Sequence, residues 1–150
     1  MNHINVLSKR KNPELRFLDK IYLVEDHSMY VSLNTWTIVY VDEDGHELQQ
    51  LKARKPEWFY MLRELIENNG RLVPSEVIFE ASVFGEKSKK YESMIDHKVT
   101  AIYKDLLKQD FYRVAKTKGL IIKKQSLYGS GYILILPEQG DNLYEDYDID

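Results

Sequence analysis

The chain of 150 residues contains no cysteine, which excludes a disulfide framework and a thiolate metal site. No apolar run approaches the roughly 18 residues needed to cross a bilayer, and no apolar segment typical of a secretory signal begins the sequence. A glycine-rich phosphate loop and a nucleophile motif are also missing, and the four histidines lack metal-ligand spacing. We therefore predict a cytoplasmic protein that is not an enzyme, with no cofactor, no metal site and no membrane partner.

Basic residues are absent from the last 24 positions, and the charge of the chain is unevenly distributed. Residues 1–51 carry 5 basic and 8 acidic side chains, residues 52–126 carry 16 and 10, and residues 127–150 carry none and 6. A segment of net charge +6 thus lies between acidic ends, although the whole chain has a net charge of −3. Such a basic segment favours a nucleic-acid partner, whereas a solvated surface is the ordinary alternative.

Four strands are predicted in the first third of the chain, where turn residues separate runs of β-branched and aromatic residues. They are expected at 21–24, 29–33, 35–41 and 46–51. Asp44-Gly45 is a typical hairpin turn between the last two, so we expect a small antiparallel sheet.

Three helices and a hairpin are predicted after the sheet. The helices are expected to begin near Pro56, to open at Pro74 and to span about 91–108. The third helix has one apolar stripe at helical spacing, formed by Ile95, Val99, Ile102 and Leu106. Residues 111–118 are expected to connect it to two apolar runs, 120–122 and 132–136, which flank a glycine-containing tip and predict a hairpin.

The expected fold class is α+β, a winged helix-turn-helix with an N-terminal antiparallel sheet, three helices and a C-terminal hairpin wing. Residues 1–20 are predicted to form a flexible arm and residues 21–136 the folded domain. Residues 137–150 are acidic with almost no core-forming pattern, which predicts an acidic C-terminal tail.

Three segments together resemble a known family: NNGRLV at 68–73, IDHKVTAIYK at 95–104 and SLYGSGY at 126–132. They are similar to the effector domain of OmpR/PhoB-type response regulators. The resemblance implies a bacterial transcriptional regulator whose third helix reads the major groove and whose wing lies on the minor groove or backbone. It also implies contact of the loop 84–90 with RNA polymerase, and a homodimer on repeated half-sites, although the sequence leaves the oligomeric state open.

The sequence departs from the family at several positions. Lys98 replaces the usual histidine, and Tyr128 replaces the wing arginine. Arginines common on the exposed helix face are replaced by Thr100, Ala101 and Tyr103, and neither alanine nor tyrosine can bind guanine as arginine does. The receiver domain that the family carries has no counterpart before the sheet, so we expect a stand-alone effector domain.

Lysines along the third helix and the hairpin can neutralise phosphates, so these elements are predicted to contact double-stranded DNA. The predicted contacts are Lys89, Lys90, His97, Lys98, Thr100, Ala101, Tyr103, Lys104, Lys108, Lys116, Lys118, Lys123, Lys124, Ser126 and Tyr128. Two alternatives stay open for some of them: Thr100 and Lys104 either contact base edges or are solvated, and Tyr103 either stacks on a sugar or packs. A protein-interaction module with little or no DNA binding is the competing function.

The acidic tail also has two explanations. Its carboxylates, interleaved with Tyr144 and Tyr147, either increase solubility or fold back on the basic surface and compete with DNA. The second hypothesis rests on a net charge of −6 beside a net charge of +6. It predicts that removal of residues 138–150 tightens DNA binding at low salt.

Overall fold

The computed structural model describes residues 20–32, 34–35, 37–51, 57–68, 70–82, 92–126 and 129–135. The predicted arm, apart from its last residue, lies outside these ranges, as do the predicted tail and the loop 84–90. Three predicted DNA contacts, Lys89, Lys90 and Tyr128, also lie outside them.

A four-stranded antiparallel sheet begins the described fold. Its strands, in spatial order, are β1 (Ile21–Tyr22), β2 (Met29–Ser32), β3 (Thr37–Val41) and β4 (Glu47–Leu51). The prediction of an N-terminal antiparallel sheet is therefore confirmed, although β1 is shorter than the predicted strand 21–24. The chain leaves the strand early because the His27 amide donates to the Val24 carbonyl and forms a turn.

The turn between β3 and β4 is built around Asp42. Its Oδ1 atom accepts the backbone amides of Asp44 and His46 at 3.0 and 2.9 Å. Gly45 has a φ angle of 82°, in the left-handed region that glycine adopts without strain. Asp44 and Gly45 therefore lie in the predicted hairpin turn, in which the Gly45 amide donates to the Asp42 carbonyl at 3.1 Å.

Within the described residues, four α-helices follow the sheet, one more than predicted. They are α1 (Glu57–Glu67), α2 (Ser75–Ala81), α3 (Ile95–Leu107) and α4 (Asp110–Thr117). A 3-10 turn at Glu92–Met94 precedes α3, so the regular helix is shorter than the predicted span of 91–108. The prediction of three helices is wrong at residues 111–118, most of which belong to α4 instead of a connection.

Helix α4 forms because a short segment presents one apolar face. Phe111, Val114 and Ala115 recur at helical spacing and are buried, whereas Arg113 and Lys116 are exposed. A helix of 8 residues is not stable by itself in water, so its packing against the rest of the protein stabilises it. This dependence on packing explains why the local pattern alone does not predict α4.

A three-stranded sheet closes the described fold, in the order β5 (Val73–Pro74), β7 (Gly131–Ile135) and β6 (Ile121–Gln125). Strands β6 and β7 form the predicted hairpin, and β7 also pairs with β5. A Cβ atom at position 131 would lie 3.0 Å from the Val73 carbonyl oxygen, so β5 and β7 approach this closely because residue 131 is glycine.

One apolar core joins the helices to both sheets. Its largest fully buried side chains include Phe59, Phe79, Phe111 and Tyr132. The rings of Trp58 in α1 and Phe111 in α4 stack with their centroids 5.7 Å apart. Helix α4 is therefore part of the core and not an appendage of the hairpin.

Two surface ion pairs link α4 to turns of the N-terminal sheet. Arg113 Nη1 lies 2.7 Å from a carboxylate oxygen of Glu43, in the β3–β4 turn. Lys118, directly after α4, lies 3.0 Å from a carboxylate oxygen of Asp26, in the β1–β2 turn. Exposed pairs of this kind contribute little to stability, but they show which side of α4 faces the sheet.

Candidate nucleic-acid interface

Helix α3 presents an exposed stripe that contains no acidic residue. The stripe consists of His97, Ala101, Lys104 and Lys108, at positions i, i+4, i+7 and i+11. All four side chains are exposed, and the buried residues Val99, Ile102 and Leu106 lie on the opposite side of the helix. The two carboxylates of α3, Asp96 and Asp105, fall on its flanks. The outward face of the helix is therefore positively charged, and the small Ala101 side chain leaves space on it.

The flank of α3 that faces α1 is less positive than the stripe. Burial raises the pKa of the Glu57 carboxyl above its ordinary value, and the Lys98 ammonium partly offsets this rise. Asp105 lies on the same flank, in a shallow cleft that Lys98 and Glu57 also line. The charge of Lys98 is therefore partly balanced by carboxyl groups of the protein itself.

The other flank of α3 contacts the hairpin through Thr100. Lys124 Nζ in β6 donates a hydrogen bond to Thr100 Oγ1 at 3.1 Å. The same Thr100 oxygen lies 3.4 Å from the hydroxyl of Tyr132 in β7. Burial raises the pKa of the Tyr132 hydroxyl, so this group stays protonated and available for hydrogen bonding. These contacts hold the Lys124 ammonium at the edge of α3.

Two tyrosine hydroxyls form hydrogen bonds with the backbone of Ile122, on the outer edge of β6. Tyr103 donates to the Ile122 carbonyl at 3.1 Å, and Tyr112 accepts the Ile122 amide at 2.9 Å. Burial raises the pKa of both hydroxyls. The Tyr103 ring also lies 4.8 Å from the Tyr132 ring, centroid to centroid. Tyr103 and Tyr112 therefore fix the position of the hairpin relative to α3 and α4.

Tyr112→Phe is expected to lower the free energy of unfolding by about 1–3 kcal/mol, because the buried Ile122 amide would lose its acceptor. Tyr103→Phe is the matched control. Its hydrogen bond is only partly buried, so water can replace the lost hydroxyl and the expected cost is about 1 kcal/mol. Urea denaturation of both variants measures the difference, and a larger loss for Tyr103→Phe would contradict this assignment.

An open groove of about 850 Å³ lies between the end of α3, helix α4 and strand β6. Its floor includes the apolar surfaces of Tyr103, Leu107, Tyr112 and Ile122. Its cationic lining residues are Lys108, Arg113, Lys116, Lys123 and Lys124. Asp110 is the single acidic residue among the described residues that line it, so the groove combines an apolar floor with a positive rim. We call it the α4 groove.

Most of the predicted DNA contacts in the described ranges lie on or near α3 and this groove. Those that line the groove are Tyr103, Lys108, Lys116, Lys123, Lys124 and Ser126. The others on α3 are His97, Lys98, Thr100, Ala101 and Lys104.

Lys118 lies apart from this group, because its ammonium pairs with Asp26. The pKa of the Asp26 carboxyl is lowered to about 2, mainly by hydrogen bonds from the Ser28 hydroxyl and amide and then by Lys118. Asp26 is thus ionised at neutral pH, and Lys118 is held by the N-terminal sheet.

Sequence reasoning missed the residues that organise this surface, namely Tyr112, Leu107 and Tyr132. The periodicity of Phe111, Val114 and Ala115 is compatible with a helix, but a segment of 8 residues is too short for this signal alone to predict α4. No local signal marks the contact of Tyr132 with Thr100, because 32 residues separate them along the chain.

The β3–β4 turn places donor atoms of Asp42, Asp44 and His46 within 4.8 Å of one another, a grouping compatible with a cation. The histidine spacing along the chain did not indicate it. Asp42 accepts two backbone amides there, and these hydrogen bonds keep the turn compact. It lies on the N-terminal sheet and does not belong to the surface formed by α3 and the hairpin.

The chain matches no protein-family model, no curated protein and no solved structure. Within the part of the chain that the structure describes, no helix combines the length and the apolar character that crossing a membrane requires.

Proposed function

We propose that this protein is a sequence-specific double-stranded DNA-binding transcriptional regulator with a winged helix-turn-helix. In this proposal α3 enters the major groove and the β6–β7 hairpin is the wing beside it. The observation that carries the proposal is the exposed stripe of α3, which holds two lysines and no carboxylate next to a strand with Lys123 and Lys124. Lysines at such positions neutralise phosphates and supply affinity.

The groups on this surface have different proposed tasks. The phosphates on either side of the DNA major groove are contacted by Lys104, Lys108 and Lys124, and these contacts orient the helix. His97 and Ala101 face the base edges, where an imidazole can exchange hydrogen bonds and a methyl group can contact thymine. The Thr100 and Tyr103 hydroxyls already bond within the protein, so we assign them to positioning the wing.

The architecture supports this proposal in a second way. The hairpin pairs with β5 to form a three-stranded sheet, and Thr100 of α3 hydrogen-bonds to Lys124 of the hairpin. A reading helix and a wing must be held rigidly together if both are to contact one duplex.

Helix α4 has no counterpart in the three-helix pattern of OmpR/PhoB-type domains, so it is a feature of this chain.

The function can be tested by titrating labelled duplex fragments of genomic DNA with the full chain across a salt series. Binding by several lysines predicts a steep loss of affinity with salt, together with a part of the affinity that depends on DNA sequence. Single strands of the same sequence are the matched control, because they lack the major groove that α3 requires.

A second candidate function is docking of a protein, and the apolar floor of the α4 groove favours it. The same titration separates the two functions. The DNA proposal would be overturned if the chain did not bind duplex DNA at low salt, either intact or after removal of residues 138–150. Protein docking would then be the remaining candidate function.

A further inference from the structure

The α4 groove contains three lysines whose charges are not used within the described protein. Arg113 pairs with Glu43, and Lys124 donates to Thr100. The ammonium groups of Lys108, Lys116 and Lys123 have neither a hydrogen bond nor an ion pair with any described residue. An apolar floor bordered by unpaired ammonium groups fits a ligand that has both carboxylates and apolar side chains.

We infer that the α4 groove binds residues 138–150 of the same chain. This segment, EQGDNLYEDYDID, carries six carboxylates and no basic residue. Leu143, Tyr144 and Tyr147 are interleaved with its carboxylates. It therefore offers apolar side chains to the groove floor and acidic side chains to Lys108, Lys116 and Lys123.

The groove lies next to the point where this segment leaves the fold. Ile135, the last residue of β7, pairs with Ile121 of β6, and Ile121 lines the groove. Residues 136 and 137 bridge from β7 to the segment. An extended chain spans up to about 3.3–3.6 Å per residue, so 13 residues can follow the groove along the whole of β6.

Because residues 138–150 belong to the same chain as the groove, weak contacts are sufficient to keep them bound there. An exposed ion pair contributes little to the free energy of binding, and a free peptide with a few such pairs would bind poorly. A short linker raises the effective concentration of the segment to the millimolar range, which favours the bound state. The contact depends on charge, so salt weakens it.

The absence of cysteine permits a direct test in the full chain. Asp148→Cys provides a single attachment point for a nitroxide label, whose unpaired electron broadens the NMR signals of nearby amides. We expect the amides of Leu107, Lys116 and Lys123 to lose most of their intensity. The amides of Tyr30 and Gln49, which line a cleft on the N-terminal sheet, are expected to keep it.

Variants of the labelled chain distinguish docking of the acidic segment in the groove from a non-specific electrostatic attraction to the protein surface. Lys116→Glu with Lys123→Glu is expected to restore the groove signals, as is salt at about 1 M, where the screening length falls to about 3 Å. Lys20→Glu with Lys118→Glu, two charge reversals at residues that do not line the groove, is the matched control and is expected to leave the broadening unchanged. Broadening centred on His97 and Lys104, or equal weak broadening of all amides, would overturn the inference.

This experiment contains no DNA, so its outcome is independent of the proposed function. If both proposals hold, the segment occupies lysines that border the DNA surface. Removal of residues 138–150 then tightens duplex binding at low salt, and this effect shrinks as salt increases. Broadening in the groove without duplex binding would retain the intramolecular contact and reject only the DNA function.

Discussion

Replacement of Lys104 and Lys108 together by glutamine is expected to reduce the affinity for duplex DNA by roughly 60-fold at about 0.1 M salt. Each lysine–phosphate contact on duplex DNA contributes about 0.9 to the slope of log affinity against log salt. At 0.1 M salt, two contacts therefore account for about 1.8 logarithmic units of affinity. The slope itself is expected to become shallower by about 2, and fluorescence polarisation across a salt series measures both quantities.

The matched control is Lys20→Gln with Lys118→Gln, which removes the same charge from residues away from the α3 stripe. Lys20 lies over the ring of Tyr30 on the N-terminal sheet, and Lys118 pairs with Asp26. We expect the control to retain the salt slope. Equal losses in the two double variants would indicate a non-specific attraction by total charge, without a defined interface on α3.

Replacement of Phe111 by alanine is expected to lower the free energy of unfolding by about 3–5 kcal/mol. The Phe111 side chain is fully buried in the core and stacks on Trp58 of α1. Its removal leaves a cavity between two helices, and a domain of this size has a total stability of only about 5–15 kcal/mol. Urea denaturation followed by circular dichroism measures the loss.

Lys116→Ala is the control on the exposed side of the same helix. Surface substitutions of this kind change stability by about 0.5 kcal/mol or less, so the two variants separate core packing from helix propensity. A loss below about 1 kcal/mol for Phe111→Ala would mean that α4 is not packed as described, and the groove beside it would lose its wall.

These two predictions address different features of the molecule. The lysine variants change the charge of an exposed helix face and leave the core intact. The phenylalanine variant changes the core and leaves every lysine in place. If both results are obtained, α3 is the helix that contacts the duplex in the proposed regulator, and α4 is the structural element that supports it.

Part of the candidate surface could be predicted from sequence because its information is local. The apolar stripe through Val99, Ile102 and Leu106 determines which face of α3 is buried, and the exposed positions of Lys104 and Lys108 follow from it. The glycine-containing tip between two apolar runs likewise identifies the hairpin. Charge density predicted which part of the chain is basic, but not which lysines are free.

The roles of individual side chains could not be predicted, because their partners lie far away along the chain. Lys118 and Lys124 have similar sequence surroundings in the basic segment. In the folded protein Lys118 pairs with Asp26, 92 residues away, and the Lys124 ammonium donates a hydrogen bond to Thr100, 24 residues away. Tyr103, a predicted DNA contact with packing as its alternative, directs its hydroxyl to Ile122.

Periodicity and turn chemistry are local signals, and they were enough to predict the N-terminal antiparallel sheet, the amphipathic α3 and the hairpin. Three features depend on contacts that form only in the folded protein: the helix at 110–117, the hydrogen bonds of Tyr103 and Tyr112 to the edge of β6, and the α4 groove with its unpaired lysines. A helix of 8 residues and a buried hydroxyl cannot be predicted locally, because both are stabilised by partners that come close only when the chain folds.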